Sequence, residues 1–191
     1  MYQKIFEKAL EKYDSAVHFV EKMSAVVEAF LPDFDRDTAH ALFDIILQYT
    51  LLRVALADGK FLPIEGAFID RITSRTDIIN LLEDVPEEVT WQWLSEHEPL
   101  AHIEKIIDAL DEVAKTHMNC FAQVFAILDS STEGDELQTL CDHIFEIATC
   151  FGCIDGEGTP AEAGALMKTI NDYLVDPWMK TYEKYKKVSA N

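Results

Sequence analysis

Asp58-Gly59-Lys60-Phe61-Leu62-Pro63-Ile64-Glu65 and Asp155-Gly156-Glu157-Gly158-Thr159-Pro160-Ala161-Glu162 are two versions of one pattern, Asp-Gly-x-x-x-Pro-x-Glu, set 97 residues apart. Asp-Gly stops an incoming helix because glycine accepts the left-handed conformation there. Proline opens the outgoing helix at its first position, where a missing N–H costs nothing. A Glu at the third helical position can bond back to exposed N–H groups and sits at the positive helix end. Thr159 with Glu162 reads as a full capping box, and Leu62 with Glu65 as half of one. At the same offset Leu47 and Leu51 fall on Ile144 and Ala148, and Ile69 on Leu166, so the apolar phase of the flanks is kept as well. A duplicated helix–turn–helix is the economical reading.

Outward from these turns the chain reads as helix. Glycine and proline are scarce, and apolar residues recur at three- and four-residue spacing. The spacing predicts a first helix over 2–30 and a second capped by Asp35 or Asp37 that runs to Asp58-Gly59. A third is predicted from Pro63 to about Ser74, and a short segment at 76–83. Pro86 and Pro99 open the next two helices, the longer of which is expected to break near Thr116-His117. Another runs from Leu137 to Asp155-Gly156, a further one starts at Thr159-Pro160, and Asp176-Pro177 separates the last. The expected fold is all-α: one domain of eight or nine helices with an internal pseudo-two-fold repeat. Residues 1–35 would form a helical extension packed on a domain of 36–191.

Asp plus Glu number 35 against 16 Lys plus Arg, a formal charge of -19. That field repels phosphate backbones and anionic membrane surfaces and attracts cations, so nucleic acid is not an expected partner. No run approaches eighteen uninterrupted apolar residues, and Met1-Tyr2-Gln3-Lys4 does not begin a signal peptide, so no membrane insertion is expected and the location is read as cytoplasmic. Cys120, Cys141, Cys150 and Cys153 are read as free thiols on core helix faces.

Caps alone leave Asp58 and Asp155 unexplained, since an acid at the negative end of a helix is disfavoured. A short loop bringing Asp and Glu together offers hard oxygen ligands for calcium, magnesium or manganese. The candidate ligands are Asp58, Glu65, Asp155, Glu157 and Glu162. The alternative is a tight turn with no bound ion. The Asp-x-Asp-x-Asp-Gly run of an EF-hand is missing. Val54-Ala55-Leu56-Ala57-Asp58-Gly59 with Glu65, and Cys153-Ile154-Asp155-Gly156-Glu157 with Glu162, resemble the paired Ala-Asp-Gly…Glu motifs of the tellurite-resistance TerB-like family over roughly residues 38–175. The resemblance implies one helical domain with adjacent acidic loops, divalent-metal binding, and a protein partner in a bacterial stress-response or membrane-associated complex. Phe61-Leu62 replace small polar residues of that pattern, so the second loop is the better match.

Other constellations carry less. Cys150-x-x-Cys153 with Cys141 and His143 has zinc-ligand residue types, but at about 100° per residue Cys141 lies opposite Cys150. The Cys-x-x-Cys also sits late in a helix, unlike a thioredoxin motif. Glu98 and His102 lie four apart, Trp91, Trp93 and Trp178 read as packing, and Lys180, Lys184, Lys186 and Lys187 suit a terminal helix dipole. No nucleophile turn or phosphate loop is present. The expected function is a non-enzymatic divalent-metal-binding or sensing module, with a metal-independent helical adaptor for protein–protein interaction as the alternative.

Overall fold

Apolar residues on every side of the second helix leave it no face for water, and its neighbours are arranged around it. A computed structural model describes residues 2–73, 78–81, 89–132, 134–156 and 158–189; among them every regular element is helical. Helix α1 (Tyr2–Val27) buries a stripe including Phe6, Ala9, Tyr13, Ala16 and Val20 against α2 (Arg36–Ala55) and α6 (Glu136–Gly152). Helix α2 also meets α3 (Pro63–Ile72), α5 (Leu100–Thr132) and α7 (Pro160–Ile170). Phe43, Ile46, Leu47, Leu51 and Leu52 are completely buried, and each such side chain is worth about 1.5–3 kcal/mol of transfer free energy. The stretch Arg36–Asp58 is long and apolar enough to cross a membrane, but 78% of the qualifying window is buried inside the fold.

Punctuation residues place most helix ends where the spacing predicts them. Asp35, rather than Asp37, caps α2, its Oδ1 accepting the Thr38 N–H at 2.8 Å. Helix α1 ends at Val27, and of the segment expected at 76–83 the described residues, Ile78–Leu81, form a 3-10 turn. The helix start expected at Pro86 lies outside the described residues; α4 (Trp91–His97) begins after Thr90, whose hydroxyl accepts the Trp93 N–H.

Two expected interruptions do not occur. Helix α5 continues through Thr116-His117, because Thr116 Oγ1 donates to the Glu112 carbonyl and His117 Nδ1 lies 2.7 Å from the Val113 carbonyl. Both side chains add to carbonyls that already accept within the helix, an arrangement a helix interior accommodates without a break. Nor does Asp176-Pro177 separate the last helix. Residues Asn171–Val175 form a π-helical turn leading directly into α8 (Asp176–Ser189), with the Asp176 N–H on the Asn171 carbonyl. A wider turn just ahead of Pro177 relieves the clash of its ring with the preceding turn, so the helix continues past a residue that usually ends one.

Carboxylates at helix contacts tie the layers together. Asp129 is fully buried and accepts from the Glu136 and Leu137 N–H groups and from Trp178 Nε1, joining the start of α6 and α8 to the end of α5. Asp70 accepts from the Trp91 and Gln92 N–H groups and so caps α4 from α3. At this contact Gly66 is a steric requirement: a Cβ there would lie 2.6 Å from the Trp91 carbonyl oxygen and 2.7 Å from Gln92 Cα. Gly66→Ala should therefore push α4 off α3 and lose about 1–3 kcal/mol in urea unfolding, although alanine favours a helix interior. A variant as stable as the parent would show that the two backbones can separate freely.

Candidate functional site

The first acidic turn is built from the end of α2. After Ala55 a 3-10 turn, Leu56–Asp58, delivers Gly59 in the left-handed region at φ 79°, and the Gly59 N–H bonds to the Leu56 carbonyl. Asp58 Oδ1 accepts the Lys60 N–H at 3.0 Å, while Lys60 Nζ lies 3.4 Å from Oδ2. Leu62 precedes Pro63 and has no side-chain acceptor, so the cap is half a box: Glu65 Oε2 takes the Leu62 N–H at 2.6 Å.

The second turn follows the same course with a complete box. Helix α6 ends at Gly152, and the Cys153 and Ile154 N–H groups close its last turn on the Cys150 and Phe151 carbonyls. Gly156 has φ 151°. The Glu162 N–H donates to Thr159 Oγ1 at 3.2 Å, and the Thr159 N–H donates to Glu162 Oε2. Helix ends and starts keep the offset of 97 residues: Ala55 and Gly152 end the incoming helices, Pro63 and Pro160 open the outgoing ones. Their glycines differ, since only Gly59 has the conformation of a left-handed helix cap.

Packing brings the two turns together. Phe68 of α3 meets Phe151 of α6 edge-to-face, with centroids 5.2 Å apart. Glu65 and Glu162, the third residues of α3 and α7, are both buried, at 4% and 6% exposure, whereas Asp58 and Asp155 are exposed. The Glu65 carboxyl is pushed up to about 7. Burial is the largest cause, the Leu62 N–H opposes it, and the charges of Asp155, Asp58 and Glu162 raise it further. Three of the other candidate ligands thus act on Glu65; the fifth, Glu157, lies outside the described residues. The donor chemistry is carboxylate oxygen throughout, which fits a hard divalent cation. Among the described residues, however, no three Asp, Glu, His or Cys side chains stand close enough together to hold an ion.

The other constellations resolve separately. All four cysteines are free thiols, but only Cys141 and Cys150 are buried; Cys120 and Cys153 are exposed, against the expectation of core positions. Burial pushes the Cys141 thiol up to about 12 and raises that of Cys150. His102 Nδ1 is 2.7 Å from Glu98 Oε2, and His97 stacks on Trp93, with Nδ1 2.9 Å from the Trp93 carbonyl. Trp91 is core and Trp178 packs at Asp129, but Trp93 is 42% exposed and stacks only on His97 of its own helix among the ring contacts of the described residues. Polar clusters missed in the sequence lie at helix contacts. Tyr13 donates to Asp44 Oδ1 at 2.6 Å beside His40, and Tyr49 and Tyr173 both donate to Asp111. Asp44, set among Leu42, Phe43, Ile45 and Ile46, carried a signal: an acid inside an apolar run needs a buried partner.

Glu65 makes stability depend on pH in an unusual sense for an acid. Its folded-state value is raised from 4.5 to about 7. The folded state therefore holds the proton more tightly between those values, and stability falls as pH rises through that window. Glu65→Gln keeps an acceptor for the Leu62 N–H and removes the charge. It should gain about 1–3 kcal/mol over the parent at pH 8 and nothing at pH 4 in urea unfolding. Parallel pH profiles for the two proteins would show that Glu65 carries no such strain.

No family model matches the chain, and neither a curated protein nor a solved structure matches it.

Proposed function

We propose that this chain is a non-enzymatic, TerB-like module that binds or senses calcium, magnesium or manganese through its paired acidic turns, in a cytoplasmic stress-response system of the tellurite-resistance kind. The observation that carries this reading is the mutual repulsion at Glu65, whose buried carboxyl feels Asp58, Asp155 and Glu162 together. An ion between the turns would remove that repulsion. Glu65 and Glu162 would form the base of its site, each with one oxygen already fixed by a cap, and Asp58, Asp155 and Glu157 would complete it from the exposed side. Asp58 is the poorer ligand because Lys60 already neutralises it. The shared offset of helix ends supports descent of the turns from one duplicated element, within a single domain of 36–191 extended by 1–35. On this reading the output is a protein contact, in a membrane-associated complex, rather than a reaction. A metal-independent adaptor is the second reading, favoured by the exposed apolar side chains of Val26, Phe30 and Leu31 where α1 ends.

Thermal unfolding with and without each cation tests the proposal. The melting temperature of the parent should rise with metal, by an amount equivalent to about 2.7 kcal/mol at a hundred times the dissociation constant. Asp155→Asn should be more stable than the parent without metal and should lose most of the increment; Asp58→Asn should do so more weakly. Glu162→Gln keeps the cap in outline, so its metal-free stability should stay near the parent's while the increment shrinks. Identical melting with and without metal in the parent and all three variants would favour the adaptor.

A further inference from the structure

The last turn of α6 holds two thiols in different surroundings. Cys153 is the residue at which α6 stops; it is exposed, and its N–H bonds to the Cys150 carbonyl at 3.3 Å. Cys150, one turn earlier, is buried at 6% exposure. Cys153 also lines a hollow of about 200 Å³ shared with Gly152, Gly158, Thr159 and Glu162. Two positions of that wall are glycines, and the hollow gives a small reagent room beside Cys153.

Residues three apart on a helix have Cβ atoms about 5–6 Å apart, and a disulfide needs roughly 3.5–4.5 Å. In mid-helix the backbone resists that closure. At Cys153 the helix has already ended, so the approach needs only adjustment of the terminal turn. The surroundings also select the reagent. Lys8 and Lys12 of α1 lie on the side of the buried Cys150, whereas Glu162 lines the hollow beside Cys153 and Asp155 lies two residues on, in a chain of formal charge -19, so at the attacking thiol a cationic disulfide is attracted and an anionic one repelled.

We infer that Cys153 and Cys150 are a dithiol–disulfide site for small cationic disulfides, with Cys153 as the attacking thiol and Cys150 as the resolving one. With cystamine, Cys153 gives its proton to solvent and its sulfur attacks one sulfur of the reagent. The S–S bond breaks, and one cysteamine leaves and takes up a proton. Cys150 then loses its proton and attacks Cys153 Sγ, releasing the second cysteamine. Two protein thiols are oxidised to one disulfide, and one cystamine is reduced to two cysteamines. Burial shields the Cys150 thiol from reagents in solution until Cys153, its neighbour in the same turn, presents a sulfur to it. This inference does not depend on metal binding.

The test treats the folded full chain with cystamine, blocks remaining thiols with N-ethylmaleimide, cleaves after glutamate and weighs the peptides. Peptide 147–157 carries Cys150 and Cys153 alone, 113–133 carries Cys120, and 137–146 carries Cys141. Peptide 147–157 should come out two hydrogens lighter and unalkylated. In Cys150→Ser it should instead carry one cysteamine on Cys153, and in Cys153→Ser it should carry neither modification. Oxidised glutathione should react more slowly than cystamine, by a ratio that shrinks with added salt. A cysteamine adduct that persists on Cys153 in the parent, oxidation of Cys150 in Cys153→Ser, or modification confined to Cys120 would each overturn the inference.

Discussion

The burial of α2 on nearly every side is the constraint from which the rest of the structure follows. A helix with no solvent face must find internal partners for each polar side chain it carries, because an unpaired buried polar group costs about 1–3 kcal/mol. Gln48 accordingly accepts the Ile78 N–H, Thr50 bonds to the Ile46 carbonyl, Tyr49 donates to Asp111, and Asp44 with His40 takes the Tyr13 hydroxyl. Each bond except that of Thr50 points at a different neighbouring element, so the polar residues of α2 fix where those elements lie while its apolar residues supply the driving force.

The same placement decides the electrostatics of the two turns. Helices α2 and α6 end side by side at the acidic sequences, and α3 and α7 begin there. Glu65 and Glu162 sit at helix starts, where the dipole and a free N–H favour a carboxylate. Asp58 and Asp155 follow helix ends, where the dipole opposes one. Capping therefore accounts for the glutamates and not for the aspartates. Lys60 offsets the first aspartate locally.

Helical boundaries were legible wherever one residue's backbone chemistry set them, as with Asp35, Gly59, Pro63, Thr159 and Pro160. They were misread where a neighbouring turn could absorb the local preference. Pro177 ends no helix because a π turn precedes it, and Thr116 and His117 meet the carbonyls of Glu112 and Val113, one turn back in the same helix. The likeness of the two acidic turns was visible in the sequence, but the unequal burial of their members was not. Glu65 and Glu162 are drawn inward by the first turns of α3 and α7, and only tertiary packing decides that those turns face the core. Partners such as Asp129 and Trp178, or Tyr49 and Asp111, stand 49 and 62 residues apart and follow no helical period.

Cys153 shows why helix phase alone misplaces a residue at a helix end. Phase puts Cys150 and Cys153 within about 60° of each other on one cylinder, which suggests a shared environment. Burial, however, requires a neighbour as well as a direction. At Cys150 the neighbour is present, since α1 packs along α6 and its Lys8 and Lys12 lie near the thiol. One turn later the helix has run out and the chain bends into the Asp155-Gly156 turn, with Gly152 and Gly158 among the residues beside Cys153, and the second thiol is exposed. The features that end α6 are therefore the same ones that expose Cys153 and leave Asp155 at the surface.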